Sequence, residues 1–162
     1  MDTSREVKFD RMIELLDRKK QLLSDMLELT KAQTDVIAEG TLDKLKLLID
    51  EKQTKIDEID KLDADFSVYF ESLKLAFGIN KLSELDVYAD PRAKQLKQIT
   101  SEVMDLIGEI SSIENINSEK SKKLLEELGS QIKKVNQGKK INNAYSAQPA
   151  DTPSSFFLDQ KK

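Results

Sequence analysis

A chain of 162 residues holds one domain, or one domain and a tail. It contains no His, no Cys and no Trp, which closes it to Ser-His-Asp and Cys-His catalysis, to His/Cys zinc sites and to Glu-x-x-His di-iron sites. With 26 basic residues against 30 acidic ones it lacks the basic excess of a dedicated nucleic-acid binder, and 5 Gly and 3 Pro are too few for the many turns of a sheet-rich fold.

The first predicted helix runs from about 4 to 39. Phe9, Leu16, Leu23, Thr30 and Ile37 recur every seven residues, as do Leu15, Leu22, Leu29 and Val36. Ile13, Leu27, Met12 and Met26 widen these rows into one broad apolar side, which suits a helix touching more than one neighbour. Gly40 then tolerates the positive φ of a helix end, and Thr41 is a plausible N-cap for the next helix.

The second predicted helix covers about 41–77. Its rows are Leu42, Ile49, Ile56, Phe70, Phe77 and Leu45, Ile59, Phe66, Leu73; the first skips Asp63 and the second skips Lys52. Two segments of nearly equal length with a two-residue joint predict an antiparallel hairpin about 50 Å long. After Gly78 the pattern loosens, with Leu82, Leu85 and Val87 or Tyr88 suited to a short connector turn. Asp90-Pro91 restarts a helix, an acidic cap before Pro at the first helical position.

The third predicted helix covers about 91–137. Leu96, Ile99, Val103, Leu106, Ile110 and Ile113 follow the alternating four-and-three spacing of a coiled-coil seam. The pattern falters at Glu114-Asn115-Ile116-Asn117 and resumes in a shifted phase at Leu124, Leu128, Ile132 and Val135. From about Lys139 the periodicity stops, which predicts a bundle over 1–138 and a flexible tail over 139–162. The tail carries Tyr145 and the bulky run Phe156-Phe157-Leu158. The expected fold is all-α: an elongated antiparallel bundle or coiled coil of three long helices with a short connector helix.

Little in this pattern offers chemistry. Asp57, Glu58, Asp60, Asp63 and Asp65 are acidic, but their spacing is helical and no Gly lies among them, so solvated charge is a better reading than a calcium loop. No nucleophile–base constellation is visible, and no enzyme, cofactor or metal is expected. No apolar run reaches the roughly 18–20 residues of a membrane span, and the first ten residues lack a signal-like apolar core; a cytoplasmic protein without stable membrane insertion is expected.

The end of the third helix is more informative. If that helix outruns the hairpin, Leu124, Leu128, Ile132 and Val135 extend about 30 Å beyond the cover of the first two. Either the helix bends back or dimerises, or this stripe receives an amphipathic helix from a partner. Lys120, Lys122, Lys123, Lys133, Lys134, Lys139 and Lys140 could meet anionic groups, or could simply complement the helix dipole. Phe156, Phe157 and Leu158 read as a docking motif or as an unordered end.

The segment LLDRKKQLLSDMLELTKAQTDVIAEGTLDKLKLLIDEKQTKIDEI (residues 15–59), with its Gly-Thr-Leu-Asp-Lys-Leu joint, and the final Phe-Leu-Asp-Gln-Lys-Lys resemble the FlgN family of bacterial flagellar export chaperones. The resemblance spans essentially the whole chain. It implies a cytoplasmic chaperone that binds hook–filament junction (hook-associated) proteins and brings them to the gate of the flagellar type III export system. It places substrate binding in the C-terminal part, here about Lys120 to Lys162, and gate docking at a tyrosine for which Tyr145 is the candidate. The alternatives are a self-associating structural coiled coil, and a chaperone of a different flagellar subunit.

Overall fold

In the computed structural model the described residues are 2–86 and 90–135. The side chains of 2, 3 and 135 are not described. Three long helices account for nearly all of them: α1 (Asp2–Glu39), α2 (Leu42–Phe77) and α3 (Pro91–Val135). A 3-10 turn at Leu82–Glu84 lies between α2 and α3. The order is up, down, up. Arg18 bonds Glu58 and Lys8 bonds Ser72, so α2 runs antiparallel to α1. Arg92 bonds Asp10, Lys20 bonds Glu102 and Thr34 bonds Asn117, so α3 returns parallel to α1. The expected bundle of three long helices is present.

Glycine sets both helix ends of the hairpin. Gly40 has φ +74, Gly78 has φ +64, and each closes its helix in the left-handed region that other residues rarely enter. The Gly40 N–H donates to the Ile37 carbonyl and the Thr41 N–H to the Val36 carbonyl, the paired bonds that satisfy the last carbonyls of α1. At Gly78 the N–H donates to Lys74, and so does that of Ile79. Thr41 is the N-cap of α2, its carbonyl accepting from the Leu45 N–H, but its hydroxyl makes no capping bond. Asp90 does cap α3, its Oδ1 accepting from the Arg92 N–H at 2.8 Å.

The breadth of α1's apolar side has its expected consequence: α1 packs closely along both α2 and α3, while α2 and α3 stay farther from each other. The core has two parts. One lies by Gly78 and the connector and gathers Phe9, Met12, Leu16, Leu73, Leu85, Leu96 and Ile99. The other fills the middle with Leu22, Leu23, Met26, Ile56, Ile59, Val103, Ile107 and Ile110. The seam of α3 therefore drifts earlier than the spacing suggests. Ile107 is buried, whereas Leu106 and Ile113 are only partly covered. A nearly straight helix turns about 20° per heptad against a strict seven-residue row, so the contact line moves to the next residue without needing a break.

Two of the five clustered acids pair with cations of α1. Glu58 accepts from Arg18 at 2.6 Å, and Asp63 sits 2.7 Å from the Lys19 ammonium, which is itself buried. Lys20 holds the Glu102 carboxyl below its ordinary range by donating to it, with Gln98 adding a second bond. These ties staple α1 to both neighbours, and the exposed Arg18–Glu58 and Lys20–Glu102 pairs each contribute little alone.

Candidate partner-binding site

The candidate site is at the hairpin tip, the end of the bundle where Gly40 and Thr41 join α1 to α2. Below the tip lies a layer of polar groups that the sequence reading left unconnected. Lys52, on α2, is 3% exposed and donates to Gln33 Oε1 of α1 at 2.8 Å. The same ammonium forms an ion pair with Glu114 of α3, whose side chain is 11% exposed. Thr30 donates to the Met26 carbonyl at 2.7 Å and to Glu114 at 3.3 Å. Asn117 completes the layer, its Nδ2 donating to the Thr30 carbonyl and its Oδ1 accepting from Thr34 at 2.7 Å. Each helix thus contributes polar groups, and no described buried side-chain N or O atom lacks a partner. Burial pushes the Lys52 ammonium down to about 7, and the facing carboxylate acts in the opposite direction.

Above this layer the packing changes. From Leu42 to Glu51 no side chain of α2 is buried, and none of α3 from Ser118 to Lys134. Leu45, Leu48 and Ile49, which the sequence rows place toward the core, are only half-buried, and Leu42 is 42% exposed. The reason is geometric. α2 and α3 both lean on α1, and neither part of the core extends up to the tip.

Leu124, Leu128 and Ile132 continue the face of Asn117 up α3, and all three are half-buried; their neighbour Leu125 is 42% exposed. Leu124 stands level with the hairpin joint, since a Cβ placed on Gly40 would lie 3.7 Å from its Cδ1. The remainder of α3, from Leu124 to Val135, therefore overshoots the tip by about 17 Å. That is shorter than the expected 30 Å, because α3 runs beside α1 all the way from Arg92, at Asp10, to Leu124, at Gly40. Val135 is the last residue of α3. Tyr145, Phe156, Phe157 and Leu158, the other expected contact residues, lie outside the described residues, as does the proposed tail.

The polar layer had a visible sign in the sequence: a lysine interrupting one apolar row and Glu114 with Asn117 interrupting another. Their meeting is a matter of helix alignment, which one row at a time does not reveal.

Among the described residues the bundle carries an apolar stripe on α3 that runs past the hairpin joint. Among the described residues no group of acidic side chains is arranged to hold a metal ion. No helix there is long and apolar enough to cross a membrane. A model of the FlgN family, described as FlgN protein, matches residues 1–150. The chain belongs to the FlgN family. It is thereby a flagellar export chaperone in general character, a family whose members act on flagellar proteins rather than as known enzymes. Comparison with curated proteins and with solved structures gives no match.

Proposed function

We propose that this FlgN-family chain is the chaperone of hook–filament junction proteins, holding the amphipathic terminal helix of such a subunit at the hairpin tip. The partner helix lies along Leu124, Leu128, Ile132 and Val135 and against the half-buried start of α2. It completes a bundle that has only three helices and leaves one side of the tip open. While it is held there, the subunit cannot present that helix to its neighbours in a filament. Delivery follows at the export gate, with the Tyr145 region making that contact. The protein works in the cytoplasm, before export.

The observation that carries this reading is the apolar stripe of α3 that the chain's own hairpin leaves half-covered. Co-purification with candidate hook-associated proteins tests it. The pair Leu128→Ser and Ile132→Ser is expected to abolish capture while leaving helix content by circular dichroism nearly unchanged, since neither side chain belongs to the sealed core. Capture that persists in this variant refutes the site. Truncation after Gly138 separates holding from delivery: the shortened chain still binds the subunit, and export falls. A tight dimer by light scattering that buries the same stripe would instead favour self-association.

A further inference from the structure

The charge of this molecule is divided along its length. Residues 118–162 hold nine basic and five acidic side chains, a balance of +4, which leaves 17 basic and 25 acidic before them, or −8. The apolar arm is therefore the cationic end of an acidic protein. At 100° per residue, Lys120, Lys123 and Lys134 fall along one edge of the stripe made by Leu124, Leu128 and Ile132, whereas Glu119 and Glu126 fall on the far face. Glu127 is the acid on that basic edge. All three lysines are exposed, and none has an ion-pair partner among the described residues.

The helix dipole does not account for this arrangement. Its pull on cations is confined to about the last turn. Lys134 lies there, but Lys120 and Lys123 stand three to four turns before Val135. Lower on α3 and α1, by contrast, exposed cations meet acids across the helix interface, as Arg92 meets Asp10 and Lys20 meets Glu102. Along this edge no acid of α1 or α2 pairs with the three lysines, Lys120 and Lys123 standing just short of the joint and Lys134 past it.

We infer that the helix received by this stripe carries acidic residues along one flank of its own apolar face, set to meet Lys120, Lys123 and Lys134. This rests on the docking reading above and specifies its partner's chemistry. The apolar stripe supplies most of the affinity, and the lysine edge selects among amphipathic helices and orients the one chosen, since a helix laid in reverse or flanked by lysines brings like charges together.

The test uses the full-length chain and purified hook-associated proteins, with dissociation constants measured by titration calorimetry. The triple variant Lys120→Glu, Lys123→Glu, Lys134→Glu is expected to weaken binding about tenfold, as three rim pairs each worth a factor of about 1.5 to 5 would. Raising salt from about 0.05 M to about 0.5 M weakens the parent complex and narrows that gap. Reversing acids to lysine on the flank of the partner helix restores binding to the triple variant. A control, Lys81→Glu with Lys94→Glu at the opposite end of the bundle, leaves affinity unchanged. If Leu128→Ser abolishes binding but charge reversal does not affect it, the acidic-flank inference is overturned and docking on the stripe stands. If the parent chain binds none of these proteins, both fall together. Vesicles of phosphatidylcholine with phosphatidylglycerol supply the remaining arm: binding there through the three lysines, with no effect of reversal on protein binding, assigns the basic edge to a lipid surface and overturns the inference.

Discussion

Replacing Lys52 with Met removes the ammonium from the polar layer but leaves Glu114 in place. That carboxylate, on a side chain 11% exposed, keeps only the Thr30 hydroxyl at 3.3 Å from the layer's donors, and Gln33 loses the donor at 2.8 Å. Removing one partner of a buried pair costs about 3–5 kcal/mol, and burying the methionine returns about 1.5–3 kcal/mol. Lys52→Met is thus expected to lose about 1–3 kcal/mol at pH 7. Glu114→Met alone strands the ammonium, 3% exposed, and loses about as much or more. The double variant leaves neither charge. It should recover to at least the parent's stability, because an apolar replacement of a buried pair is often neutral or stabilising by about 1–4 kcal/mol. Urea unfolding followed by circular dichroism measures all four chains, with m-values checking that the transition stays two-state. A double variant whose loss equals the sum of the singles would refute the reasoning, for then the two charges do not sense each other.

Three other outcomes are expected. Burial holds Lys52 at about 7, below its ordinary 10.5, so between those values the unfolded chain binds a proton that the folded chain has released. Stability therefore rises with pH across that window, by at most about 1.4 kcal/mol per unit, less what the Glu114 attraction cancels. Urea midpoints at pH 7 and pH 9 should differ in the parent and much less in Lys52→Met; equal slopes in both chains would remove Lys52 as the cause. Gly108 lies inside α3 with open space where a Cβ would go, so Gly108→Ala should gain about 0.5–1 kcal/mol, visible as a higher melting temperature. Gly78→Ala meets no clash but must hold φ +64, and is expected to lose about 1 kcal/mol in the same melt.

The architecture was largely legible because its signals are local. Seven-residue rows, Gly40, Gly78 and Asp90-Pro91 each act within a few residues, and helix propensity and capping operate on that scale. The candidate stripe was legible for the same reason, as Leu124, Leu128 and Ile132 repeat on one face. What stayed hidden depends on how the helices stand against each other. Ile107 rather than Leu106 enters the core because of cumulative helix rotation. Leu45 and Ile49 look like core residues in sequence yet are half-buried, since their exposure is decided by the distance between α2 and α3. The length of the overhang depends on where α3 starts relative to α1, which no single row reveals.

The polar layer has a further consequence for alignment. Rows of leucine and isoleucine at seven-residue spacing fit their neighbours almost as well after one helix slides by a heptad, about 10 Å. Sliding α2 by that amount would set Leu45 or Ile59 against Gln33 and Glu114, and push the ammonium among leucines. Such slipped assemblies are thereby rejected, and the joint at Gly40 is held at one height on α3. The layer works as a ruler. It fixes how many turns of α3 project past the joint.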